Sequence, residues 1–77
     1  MDAISEILKR TKGIVPNEFT DNRIVYKMEG DISITFLGYV DNKESVGCII
    51  DKEDGSIVDI FSCSIDEAIE FIKDDCK

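Results

Sequence analysis

The first hydrophobic pattern along this chain has the period of a helix. Ile4, Ile7 and Leu8 lie at positions i, i+3 and i+4, so that one side of the segment is apolar. Basic residues follow this stripe and Gly13 comes directly after them, which is typical of a helix end. The pattern predicts a helix over residues 3–12.

Apolar and polar residues then alternate in several short segments, as they do in strands with one buried face. The predicted strands cover residues 23–28, 31–40, 46–51 and 57–61. Short turns join them, and the pair Asp54-Gly55 is a strong hairpin signal. Residues 14–22 include Pro16 and are predicted to form a connection. Consecutive strands with short turns indicate an antiparallel meander.

A second helix is predicted after the last strand. Ser64 and Glu67 match the capping box S-x-x-E. An apolar stripe at helical spacing follows, formed by Ile65, Ala68, Ile69 and Ile72. We therefore predict an α+β fold with a helix, a four-stranded antiparallel meander and a helix, both helices lying on one face of the sheet. Residues 1–77 are too few for two cores and are expected to form a single small domain.

The sheet face opposite the helices is predicted to carry an unusual mixture of apolar and acidic side chains. Alternation along the strands assigns these candidate contact residues to it: Leu37, Tyr39, Ile49, Asp51, Asp59 and Phe61. An exposed apolar patch of this kind marks a surface for a partner or for self-association. A bulge near Gly38 that shifts the register, or a helix that covers this face, would account for the same mixture without such a surface.

Charge narrows the class of partner. The formal net charge is −8, and residues 29–77 hold thirteen acidic residues against four basic ones. Binding to DNA or RNA needs the opposite sign, so direct nucleic-acid binding is not expected. A basic protein is the partner that such a field attracts, although acidic residues also keep a small protein soluble.

The residue types that carry most catalysis and metal binding are scarce here. Histidine is absent, and the three cysteines, Cys48, Cys63 and Cys76, form no C-x-x-C pair. We therefore expect no enzyme activity, no metal and no cofactor. The apolar runs are too short to span a bilayer and the first residues do not resemble a secretory signal, which predicts a cytoplasmic protein without membrane contact.

These observations favour a non-enzymatic acidic protein-binding module, of the inhibitor or modulator type, that acts on a basic partner protein. Two alternatives stay open. The same sheet face can close a homodimer in a self-associating structural domain. A small-molecule-binding regulatory domain would instead use the space between the sheet and the helices.

Overall fold

The structure is a computed structural model that describes residues 3–38 and 45–76. Its elements are α1 (Ala3–Arg10), β1 (Glu18–Thr20), β2 (Arg23–Lys27), β3 (Ile32–Leu37), β4 (Ser45–Lys52), β5 (Ile57–Ser64) and α2 (Ile65–Asp75). The strands form one antiparallel sheet in the order β1-β2-β3-β4-β5. The α+β class and the helix at each end of the described chain are confirmed, but the sheet has five strands and not the four that were predicted.

The strand that the sequence did not predict is β1. It covers only Glu18–Thr20 and pairs with β2 across a two-residue turn at Asp21 and Asn22. Three residues are too few to show a period of two, and all three side chains are exposed. Phe19 lies opposite Ile24 yet stays largely exposed, because it lies at the edge of the sheet. Hydrophobic alternation therefore gave no signal for this strand.

The core lies between the sheet and the two helices. The strands contribute every second residue, and the helices contribute their apolar stripes to the same buried cluster. The buried strand residues are Ile24, Tyr26, Ile34, Phe36, Val46 and Cys48; the largest buried helix residues are Ile4, Ile7, Ile69 and Ile72. Because one cluster contains both sets, both helices pack on the same face of the sheet. The opposite face has no helix over it among the described residues, and we call it the open face.

The second helix begins where the sequence predicts. The Ser64 hydroxyl accepts a hydrogen bond from the Glu67 N–H, and the Glu67 carboxylate accepts one from the Ser64 N–H, both at 3.1 Å. This capping box satisfies two backbone donors at the helix start. Ser64 is also the last residue of β5, so the strand leads into the helix without a loop. The helix continues to Asp75, and Cys76 directly after it is buried.

Gly38 follows β3 at a point where α1 comes very close to the sheet. A Cβ atom on Gly38 would lie 2.7 Å from Cγ1 of Ile4, which is shorter than real Cβ contacts. Its N–H donates to the Asn22 carbonyl at 2.9 Å, which continues the pairing with the β1–β2 turn. The described residues place no bulge at Gly38, and the glycine is there because Ile4 occupies the space of a side chain.

The hairpin between β4 and β5 contains the predicted Asp-Gly turn and a β-bulge that was not predicted. Gly55 has φ +92°, a conformation that favours glycine, and the Asp54 carboxylate accepts a hydrogen bond from the Ser56 N–H at 2.8 Å. Beyond the turn, the register shifts by one residue between Ile50 and Asp51. A bulge of this kind moves all later side chains to the other face, which changes the positions of two predicted contact residues.

Candidate functional site

Half of the predicted contact residues lie together on the open face. Leu37, Ile49 and Asp51 line one shallow cavity of about 620 Å³. The sheet register explains this, because Thr35 pairs with Ile49 and the side chains of both point away from the helices. The apolar and acidic mixture that the sequence predicted for this face is therefore present.

Asp59 and Phe61 do not lie on the open face, and their predicted placement is wrong. Phe61 is opposite Cys48 and packs against the core, while Asp59 is opposite Ile50, which also packs against the core. The cause is the bulge in β5, which adds one residue between Ile57 and Ile60. Ile60 consequently occupies the open face, opposite Ile49. Tyr39, the remaining predicted contact residue, lies outside the described residues.

The open face carries nearly balanced charge beside its apolar residues. A second cavity, of about 380 Å³, adjoins the first and shares Arg23, Thr35 and Asp51 with it. The charged residues that line it are Glu18, Asp31, Asp51 and Glu53 against Arg23, Lys27 and Lys52. The acidity of the chain is therefore not concentrated on this face.

The acidity is concentrated on the helix side, in a groove between β5 and α2. Five of the eleven residues in α2 are acidic and one is basic. The groove has a volume of about 300 Å³ and is lined by Phe61, Cys63, Glu67, Glu70, Phe71, Asp74 and Asp75. We call these residues the acidic groove. Its apolar part comes from two half-buried phenylalanine rings, and its rim comes from the carboxylates of the helix.

Most residues of the acidic groove follow from the spacing on α2. Glu67, Glu70, Phe71 and Asp74 lie at positions i, i+3, i+4 and i+7, so that they share one side of the helix. The sequence therefore contained a signal for this surface. Strict alternation along β5 does not predict the rest of the groove, because the bulge is what brings Phe61 to this side of the sheet.

The thiols near the groove are not suited to nucleophilic chemistry. The Sγ atoms of Cys48 and Cys63 lie 3.3 Å apart across β4 and β5. Burial raises the pKa of the Cys48 thiol, and the neighbouring Cys63 and the carboxylate of Glu67 raise it further. Burial also raises the pKa of Cys63. Both thiols therefore keep their protons at neutral pH, whereas a reactive cysteine needs a lowered pKa.

The free edge of the sheet at β5 is the third unusual surface. Apart from β4, no strand within residues 3–38 and 45–76 pairs with β5. Three large apolar side chains on it are more than half exposed: Ile57 at 59%, Val58 at 52% and Ile60 at 62%. The Asp59 carboxylate accepts a hydrogen bond from the Ile60 N–H at 2.9 Å. A long apolar edge of this kind is a template for pairing with another strand.

Comparisons with known proteins do not assign this chain to a family. No family model, no curated protein and no solved structure matches it significantly. Within the described residues, no helix has the length and apolar character needed to cross a membrane. Those residues also contain no group of three or more cysteine, aspartate or glutamate side chains arranged to hold a metal ion.

Proposed function

We propose that this protein is a non-enzymatic binding module that acts on a basic partner protein through the acidic groove. The observation that supports this proposal is the grouping of four carboxylates around two half-buried phenylalanine rings. Carboxylates on a rim accelerate the encounter with a positively charged surface, and aromatic residues supply the buried contact that slows dissociation. The inhibitor or modulator role expected from the sequence stays part of this proposal.

Phe61 and Phe71 add a reason to expect lysine or arginine in the contact. The long stems of these side chains pack on apolar rings while their charged ends reach carboxylates or water. A cation above an aromatic ring gains further stabilisation, of about 0.5–2 kcal/mol. Glu70 and Asp74 lie one helical turn apart, where a single guanidinium or ammonium group can lie between them.

The test compares two double variants that remove equal charge from different places. Glu70→Gln with Asp74→Asn alters the groove, and Glu18→Gln with Asp21→Asn alters the β1–β2 hairpin far from it. All four residues are exposed, so both variants are expected to fold. Each protein is immobilised, exposed to a lysate of the source cells at low and moderate salt, and the retained proteins are identified by mass spectrometry.

We expect the wild type and the hairpin variant to retain the same basic protein, and the groove variant to lose most of it. Moderate salt should release it from all three, because exposed charges are screened. Equal retention by the groove variant, or the absence of any basic protein from the wild-type sample, would contradict the proposal.

A homodimer closed by the open face is the second candidate. The observation that favours it is the combination of Leu37 and Ile49 with a nearly neutral set of charges, so that two copies would not repel each other there. Sedimentation equilibrium tests it directly. The wild type should be a dimer and Ile49→Lys a monomer, whereas a monomeric wild type at high protein concentration removes this candidate.

A further inference from the structure

The exposed edge of β5 offers hydrogen-bonding groups to an incoming strand. In an antiparallel pair, every second residue directs its N–H and C=O groups away from its neighbour. Eight residues of β5 run along this edge. The Ile60 N–H is bonded there to the side chain of Asp59, and the Ser64 N–H at the end of the strand is bonded to that of Glu67. Peptides that add a strand to such an edge gain affinity from main-chain hydrogen bonds and specificity from alternate side chains.

The two sides of this edge differ in chemistry. On the open face, Ile57 and Ile60 are exposed and present an apolar surface. On the helix side, Phe61 and Cys63 border the acidic groove, with the carboxylates of α2 beside them. A strand lying along β5 would direct alternate side chains to these two surfaces. The favourable sequence for it alternates basic and apolar residues.

Charge decides between the two kinds of strand that fit this edge. If two copies paired antiparallel through β5 around a two-fold axis, their sheets would form one continuous sheet. Both α2 helices would then lie on the same face of it, next to the interface between the copies. Each α2 carries five acidic residues and one lysine, so the copies would repel each other. A basic segment meets the same groove with complementary charge.

We propose that the β5 edge binds an extended basic segment of the partner protein as a sixth strand, with its Lys or Arg side chains in the acidic groove and its apolar side chains beside Ile57 and Ile60. This inference rests on the proposed function and adds the mode of recognition to it. The hydrogen bonds come from the strand edge, and the carboxylates select the partner.

The experiment measures binding of a fluorescent peptide by anisotropy at low salt. The probe is a capped peptide of about eight residues in which lysine and valine alternate, to match the length of β5. Its matched control has the same sequence with N-methyl groups on two consecutive central residues, which removes N–H donors from both edges and keeps every charge. We expect the control to bind about two- to tenfold more weakly, since one of the two methyl groups faces β5 and removes one hydrogen bond, which contributes about 0.5–1.5 kcal/mol.

The outcomes separate the mode of binding from the function. Equal affinity for the two peptides, or no binding of the unmethylated peptide even at millimolar protein, overturns strand addition. The proposed function is judged on its own by the groove and hairpin variants with the retained partner protein. If the unmethylated peptide binds better than its control and Glu70→Gln with Asp74→Asn weakens that binding, strand addition at the acidic groove is supported.

Discussion

The contact between Gly38 and Ile4 allows a stability prediction to be worked from one distance. An added Cβ at Gly38 would lie 2.7 Å from Cγ1 of Ile4, whereas ordinary contacts are 3.4–4 Å. Ile4 is 2% exposed and Cγ1 lies in the middle of its side chain, so this atom cannot simply turn away. Gly38→Ala therefore forces α1 away from the sheet or strains the core, which costs about 1–3 kcal/mol.

Gly13→Ala is the matched control, because its added Cβ would have no atom within 4 Å and its φ is not positive. That substitution is expected to be neutral or to stabilise the fold by about 0.4–1 kcal/mol. Urea unfolding followed by circular dichroism measures both variants. For a domain of this size, each kcal/mol lost lowers the melting temperature by about 4–8 °C.

A double-mutant cycle tests the cause of the effect. Ile4→Ala removes Cγ1, so Gly38→Ala should cost much less in that background than in the wild type. The same cost in both backgrounds would falsify the steric explanation. Equal stability of Gly38→Ala and Gly13→Ala would show that α1 does not approach the sheet in this way.

Three further outcomes follow from buried groups and from charge. Tyr26→Phe should leave stability unchanged or raise it by about 1 kcal/mol in urea unfolding, because the buried Tyr26 hydroxyl makes no hydrogen bond of good geometry within residues 3–38 and 45–76, even though the Thr11 side chain lies beside it; a clear loss would show that the hydroxyl and Thr11 are bonded. The free energy of unfolding should fall as pH rises from 9 to 11, because burial raises the pKa of Cys76 from 9.0 to about 11 and the native thiol keeps a proton that the unfolded chain releases. Cys76→Ala should reduce this slope in unfolding curves measured across that range, and an unchanged slope contradicts the assignment. The melting temperature at neutral pH should rise from low to moderate salt, because the net charge is −8 and the acids of α2 repel each other; a flat or falling value refutes this.

The elements that the sequence predicted correctly are those with a strong local signal. The stripe that begins at Ile4, the alternation along β2 to β4 and the capping box at Ser64 each determine their own segment, and each is present. The end of α1 and the ends of the strands differ by a few residues from the predicted ends. For the strands, pairing with the neighbouring strand determines where the hydrogen bonds stop. By contrast, β1 forms by pairing with the edge of β2. Its three exposed residues carry no pattern that predicts this pairing.

The residues of the candidate site could be predicted only where strict alternation gives the correct strand register. Leu37, Ile49 and Asp51 precede the bulge, and strict alternation places them correctly on the open face. Asp59 and Phe61 follow it, and alternation places them on the wrong face. The bulge depends on how β5 fits against β4, which is a property of both strands together. No pattern within residues 57–61 indicates it.

That single extra residue also determines which surfaces the protein offers. Without it, Phe61 would lie on the open face and Ile60 would be turned toward the core. With it, Phe61 borders the carboxylates of α2, and Ile60 is exposed at the edge of the sheet. The apolar edge and the acidic groove then adjoin along the same strand. A basic extended segment can use both at once, whereas a second copy of the chain would have to bring two acidic helices together.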